Sequence, residues 1–306
     1  MSAPRDLGTA RIVLDAHATL GECPRWSVRE SRLWWVDIAG RAIHRFDPAS
    51  GHDERWAMAS APGCLAFARS GGLVVALRDG FHRFDPATGR LAAIAPAPYD
   101  AREFRFNDGR CDAAGRFWAG AMFEPRTAER ASMYCLERGA VREAWGPAQG
   151  LGVKVSNGLA FSADGRTLFQ SDTPGHVIWR FDFDTATGEA TRRREFARVP
   201  ADRDSPTYGG RPDGACLDRD GFYWSAQYEG SRVLRFAPDG SIDAVLRIPV
   251  RRPTMVAFGG PDLATLFVTT AREGASEAEL AEFPHSGGLF ALETGHAGLP
   301  EPDYAD

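Results

Sequence analysis

The sequence predicts an all-β protein, a six-bladed β-propeller, on three observations. A strand–turn–strand–turn–strand phrase recurs six times along the 306 residues, and a period of about 40 to 50 residues is the signature of propeller blades, where radial repetition protects strand edges. The apolar runs within each phrase are short and rich in aromatic and β-branched residues, which suits pleated strands better than helices. The 33 Gly and 20 Pro supply the turns such a chain needs.

The phrase is clearest in its second strand. In order these lie at 33–37, 73–77, 117–121, 168–172, 222–226 and 266–270, with first residues 40, 44, 51, 54 and 44 apart. Third strands follow in step at 43–47, 81–85, 133–136, 177–181, 233–236 and 288–292. Polar turns such as Ala163-Asp164-Gly165-Arg166, Asp218-Arg219-Asp220-Gly221 and Pro86-Ala87-Thr88-Gly89 separate the strands. An apolar stretch at 10–14, ahead of the first phrase, is expected to supply the outer strand of the last blade, closing the ring and removing an open edge. Residues 1–306 then form one propeller domain, although the length alone would allow two. Ser276-Glu277-Ala278-Glu279-Leu280 carries a capping-box pattern and predicts a short helix within the sixth phrase.

Charge and composition exclude several classes. With 36 basic against 41 acidic side chains and no dense basic tract, the chain lacks the electrostatic footprint of a nucleic-acid binder. No segment approaches the roughly eighteen apolar residues of a membrane span, and the first six residues lack the apolar stretch of a secretory leader, so a cytoplasmic protein is expected. Cys23, Cys64, Cys111, Cys135 and Cys216 are far apart, form no C-x-x-C pair, and are expected as free thiols. Lys154, the only lysine, is expected to be solvated, and the expected association state is a monomer or weak dimer.

Aligning the repeats aligns the residues nine to twelve places before each second strand, namely Glu22, Gly63, Asn107, Asn157, Asp213 and Thr254. The first strand of a propeller blade lines the central channel, so these positions form a ring about the axis. Four of the six carry a carboxylate or carboxamide. Taken singly, Asn107-Asp108-Gly109, Asn157-Gly158 and Asp213-Gly214 each read as an ordinary turn. Together they crowd two carboxylates near an axis, which is costly unless protons or a cation compensate. Two anionic and two amide oxygens suit Ca²⁺, Mg²⁺ or Mn²⁺; Zn²⁺ and Fe²⁺ would accept the same set but more often recruit imidazole, and no histidine falls in this register.

Antiparallel pairing brings the end of each second strand to the same rim. This adds Asp37, Arg78, Glu124, Asp172, Tyr228 and Thr270, with Arg105 two places before Asn107. Turn or capping roles are expected for Asp37 and Asp172, whereas Glu124 and Arg105 are as readily structural as functional. No G-x-S-x-G elbow, H-E-x-x-H pair or P-loop occurs, and all seven histidines are isolated. His44 and His82 are expected as packed or solvated strand residues, and Arg192-Arg193-Arg194 as a solvated outer face.

Four motifs in order, Leu20-Gly21-Glu22-Cys23-Pro24-Arg25-Trp26, Arg105-Phe106-Asn107-Asp108-Gly109-Arg110-Cys111-Asp112, Ser156-Asn157-Gly158-Leu159-Ala160-Phe161-Ser162 and Arg211-Pro212-Asp213-Gly214-Ala215-Cys216, resemble the gluconolactonase, regucalcin and senescence-marker-protein family. The resemblance spans roughly Leu14 to Leu292. It implies a propeller holding one divalent metal and, in many members, hydrolysis of sugar-acid lactones. By resemblance Glu22, Asn157 and Asp213 hold the metal, while Arg105 and Asn107 bind a small-molecule sugar lactone; Glu124 is expected as a further substrate contact from its place at the rim. Two departures stand out: Cys23 replaces the family's usual glycine, and Glu124 is followed by Pro125 where some animal members carry consecutive acids. The expected reaction is metal-assisted hydrolysis of an aldonolactone such as glucono-, xylono-, galactono- or arabinono-lactone, with Asp213 orienting or deprotonating water. Hydrolysis of other esters or organophosphates, or metal binding without catalysis, are the alternatives.

Overall fold

A computed structural model describes residues 3–306. β1 (Arg5–Thr9) and β2 (Arg11–Leu14) precede the blades. Blade one is β3 (Gly21–Ser27), β4 (Arg32–Asp37), β5 (Ala42–Phe46) and β6 (Asp53–Ala57); blade two is β7 (Pro62–Phe67), β8 (Leu73–Leu77), β9 (Gly80–Asp85) and β10 (Arg90–Pro96). Blade three is β11 (Phe104–Cys111), β12 (Phe117–Phe123), β13 (Met133–Glu137) and β14 (Ala140–Trp145); blade four is β15 (Ser156–Phe161), β16 (Thr167–Asp172), β17 (Val177–Asp184) and β18 (Glu189–Arg198). Blade five is β19 (Arg211–Leu217), β20 (Tyr223–Tyr228), β21 (Arg232–Phe236) and β22 (Ile242–Arg247). Blade six holds β23 (Pro253–Gly259), β24 (Thr265–Thr270), the short helix α1 (Glu277–Glu282) and β25 (Leu289–Glu293). The all-β, six-bladed propeller read from the repeats is the fold that forms.

The two leading strands go to different blades. β2 pairs antiparallel with β25, Ile12 opposite Phe290, as the outermost strand of blade six. β1 adds parallel to β22, Arg5 opposite Ala244, giving blade five a fifth strand that no repeat announced. α1 begins at Ser276, whose hydroxyl accepts from Glu279 N at 3.2 Å.

Local sequence chemistry sets the blades. In the hairpins that open with Asp47 and Asp85, the aspartate accepts from the amide two residues on and from the hydroxyl of Ser50 or Thr88 at 2.7 Å, fixing the turn between third and fourth strands. Asp112 and Asp218 cap the turns between first and second strands, each accepting from the amides two and four residues on and from an indole six residues later, Trp118 at 3.0 Å and Trp224 at 2.9 Å. Apolar faces of adjacent blades then interdigitate: Trp34, Leu65, Phe81, Phe106 and Phe117 share one cluster, and Trp35, Trp224, Phe258 and Phe290 another.

The C-terminal segment crosses one face of the ring. Tyr304 N donates to Phe67 O at 2.7 Å, Asp306 pairs with Arg83 at 2.7 Å, and Glu301 reaches the buried guanidinium groups of Arg25 at 3.0 Å and Arg110 at 2.9 Å.

Every innermost strand is irregular at one place. Pairing slips between Glu22 and Arg25, Pro62 and Cys64, Phe106 and Gly109, Asn157 and Ala160, Pro212 and Ala215, and Pro253 and Met255. Each slip contains or abuts one of the six aligned ring positions. A bulge re-aims the side chain it carries, and Glu22, Asn107, Asn157 and Asp213 accordingly face a cavity at the axis. Gly63 instead packs on the Phe106 backbone, and the Thr254 hydroxyl donates to Gly21 O and pairs, at 2.8 Å, with that of Thr269 on the neighbouring strand.

Candidate active site

A polar relay crosses three blades at the channel. Arg105 Nη1 donates to Asn107 Oδ1 at 2.6 Å; Asn107 Nδ2 donates to Asn157 Oδ1 at 2.6 Å; Asn157 Nδ2 donates to Asp213 Oδ1 at 2.5 Å. Thr173 fixes the centre of the relay, accepting from Asn157 Nδ2 at 2.8 Å and donating to Pro212 O at 2.8 Å. Glu22 stands across from it with a single long bond, from Cys23 N at 3.4 Å. Five of the six predicted site residues, Glu22, Arg105, Asn107, Asn157 and Asp213, line one cavity of about 60 Å³; Glu124 does not.

The backbone at the relay is specialised. Gly158 has φ +61°, and a Cβ there would collide with the hydroxyls of Tyr223 and Ser171. Cys23, in the place where the family usually has glycine, is itself left-handed at φ +49° and keeps a buried thiol that accepts from Leu65 N at 3.3 Å.

Electrostatics single out the two carboxylates. Burial, followed by the charges of Asp213 and Asp108, holds the Glu22 carboxyl well above the usual carboxylate range. Burial also raises Asp213, against the pull of Arg211 and with a push from Asp108. Among the described residues, no three His, Cys, Asp or Glu side chains gather as a metal site. An ion held by Glu22 and Asp213 would therefore need a carboxamide oxygen, and Asn157 stands in hydrogen-bond contact with Asp213. This all-oxygen donor set, carrying two negative charges and short of donors at Glu22, fits a hard divalent cation.

The other predicted positions divide. Glu124 lies in an adjoining chamber of about 390 Å³, its two oxygens taken by Arg78 at 2.8 and 2.7 Å, with Arg105 Nε at 3.8 Å. Tyr228 lines the cavity. Asp37 accepts from Thr19 N, Leu20 N and Gly40 N, and Asp172 from Lys154 N and Val155 N, the capping roles expected of them. Thr270 is tied to Gly288 O at 2.7 Å, and Gly63 is packed against the Phe106 backbone.

Sequence alignment missed Thr173, Arg126, Arg211 and Glu273, which line the cavity from loops and strand ends outside the aligned register. Asp108, read earlier only as a turn residue, accepts from Leu159 N at 2.8 Å and so ties β11 to the strand that carries Asn157.

Comparison with known proteins agrees with this architecture. The family model described as the SMP-30/gluconolactonase/LRE-like region matches residues 20–272. The 6-deoxy-6-sulfogluconolactonase of Pseudomonas putida is 43% identical over 97% of this chain and 99% of its own. The L-arabinolactonase of Azospirillum brasilense is 34% identical over 97% and 96%. The crystal structure of regucalcin from Agrobacterium tumefaciens, described as a calcium-binding protein, superposes with a TM-score of 0.92 at 28% identity, covering 99% of this chain and all of that one. With a family model covering most of the chain and relatives matched end to end, the protein belongs to the SMP-30/gluconolactonase/LRE-like family.

Proposed function

We propose that the protein is a metal-dependent lactonase that opens the lactone of a sugar acid. The observation that carries this is the relay Arg105–Asn107–Asn157–Asp213 facing Glu22, in a cavity that leads into a chamber large enough for a sugar. The lactonase names of two relatives support the substrate class. Glu22, Asn157 and Asp213 would hold one divalent ion, and the oxygen-only set favours Ca²⁺, Mg²⁺ or Mn²⁺ over Zn²⁺ or Fe²⁺. When bound, such an ion supplies Lewis-acid polarisation of a carbonyl and a lower pKa for water.

The chain's own groups do the rest. Asp213, its carboxyl raised by burial, takes a proton from water as the water oxygen adds to the lactone carbon, and returns it to the ring oxygen as that C–O bond breaks. Addition of water across one bond gives the free acid and a hydroxyl. Arg105, held by Asn107 and by Phe106 O at 3.0 Å, faces the negative charge that develops on the carbonyl oxygen. Asn107 orients the sugar, and Glu124 forms part of the chamber wall against which its hydroxyls rest.

Five buried free cysteines suit a reducing compartment, and we place the protein in the cytoplasm. Among the described residues no helix is long and apolar enough to cross a membrane. Only three large hydrophobic side chains are exposed there, Val28, Ile242 and Leu299, which supports a monomer or weak dimer.

A pH-indicator assay should show acid release from aldonolactones but not from aryl esters or phosphotriesters. Turnover should stop with a chelator and return with a divalent ion, and Asp213→Ala should lack it throughout. Hydrolysis that survives both chelation and Asp213→Ala would sink the mechanism.

A further inference from the structure

Beyond the reacting centre, the adjoining chamber has a charge the proposed chemistry does not use. Four arginines, Arg41, Arg78, Arg105 and Arg126, line it against two glutamates, Glu124 and Glu273. Arg78 neutralises Glu124 through its bidentate pair. Arg105 is 7% exposed, and its nearest carboxylate is 3.8 Å away. Arg41 and Arg126 have no carboxylate within 4.0 Å among the described residues. Both are non-glycine residues in the left-handed region, at φ +49° and +57°, a conformation that persists where the surroundings impose it. The charge of Arg126 reaches into the site: it is felt at Arg105, Glu124 and Asp213. The chamber and the deep cavity share Leu20, Arg105, Met122, Arg126 and Glu273 as a common wall.

We propose that this chamber is an oxyanion subsite: the preferred lactone carries a sulfonate, phosphate or carboxylate on the carbon remote from its ring carbonyl, received by Arg126 and Arg41. With the carbonyl at the deep carboxylates, the far end of a sugar acid projects into the chamber, where Arg41 and Arg126, both solvent-exposed, outnumber Glu273, the one carboxylate of the wall outside the Arg78–Glu124 pair. An oxyanion accepts charge-assisted hydrogen bonds from guanidinium groups, each typically stronger than a bond to a neutral hydroxyl. Arg126, shared by both spaces, sets the preference. The turnover arm of the test rests on the lactonase reading; the binding arm does not.

Rates are compared for D-gluconolactone and its 6-phospho and 6-deoxy-6-sulfo derivatives, and for the lactone of glucaric acid, with the metal-loaded protein. The anionic lactones should have kcat/KM about tenfold higher at low salt, one charge-assisted contact converted to rate, and the advantage should shrink in about 0.5 M NaCl as screening sets in. Whichever anion gains most identifies the group. Arg126→Glu should cut the anionic-to-neutral ratio by at least about tenfold, and Arg126→Lys should retain more of it. In parallel, calorimetry compares 6-phosphogluconate with gluconate. Tighter binding of the phosphate, lost in Arg126→Glu, supports the subsite even if no lactone is turned over, a result that would overturn the lactonase reading alone. Equal binding of the two acids, or a neutral lactone preferred with a ratio unmoved by Arg126→Glu, overturns the subsite.

Discussion

Replacing Asp213 with asparagine is expected to stabilise the metal-free protein while removing its response to a divalent ion. Asp213 is 5% exposed, accepts a hydrogen bond from Asn157, and stands near Glu22 and Asp108. Burial pushes its carboxyl up to about 8 from an ordinary 3.8. Between those two values the folded chain keeps a proton that the unfolded chain releases, so the native state binds more protons. Stability therefore falls as pH rises through this window, by at most about 1.4 kcal/mol per pH unit. Asparagine has nearly the same shape and does not titrate. With Glu22 sharing the burden of the site, the mutant should gain about 2 kcal/mol over the wild type in chelator at pH 7.5, and the gap should close toward pH 5. An ion at about 100 times its Kd adds about 2.7 kcal/mol to a protein that binds it; the wild type should gain this and Asp213→Asn should gain little. Urea melts from pH 5 to 8, with chelator or with Ca²⁺ or Mn²⁺, measure every term. A mutant less stable than wild type in chelator at pH 7.5, or a gap that ignores pH, refutes the reasoning.

Gly158→Ala should cost about 2–4 kcal/mol and weaken ion binding, since its Cβ meets the Tyr223 and Ser171 hydroxyls beside Asn157; unchanged ion affinity by calorimetry would show that the relay is insensitive to this turn. Glu301→Gln removes the carboxylate from two arginines, of which the Arg25 side chain is 2% exposed, and is expected to cost about 3 kcal/mol in a urea melt. Cys23→Gly should change stability by less than about 1 kcal/mol, because relief of the left-handed backbone offsets the lost burial of a small thiol; a larger loss would give the Leu65 contact more weight than its 3.3 Å length suggests.

The fold was legible because each blade repeats the same physical problem. Aromatic strand, aspartate turn and apolar strand recur at a spacing no helix or sandwich would keep. The ring was legible for the same reason: bulges at equivalent places aim Glu22, Asn107, Asn157 and Asp213 at the axis, so alignment in sequence became convergence in space for these four. What did not repeat was not visible. β1 pairs parallel with a strand more than two hundred residues away and follows no phrase. Arg126 comes from the irregular segment after β12, and Thr173 from the turn after β16. Their positions depend on loop paths that periodicity does not encode. Glu124 shows the limit from the other side: its register was right, but its engagement by Arg78 required knowing what blade two brings beside it.

The pairing of Ile12 with Phe290 has a consequence measured in time. β2 leaves the ribosome ahead of every strand of the six repeats, and its partner β25 follows all the others. At typical synthesis rates of about 5–20 residues per second, β2 waits roughly 15 to 60 seconds for β25. During that interval the nascent ring is an open arc with unpaired strand edges at both ends, the state most exposed to wrong partners. Truncated chains lacking β25 never leave it. Expression yield should therefore depend on how the cell shelters an unfinished circle more than on the stability of the finished one.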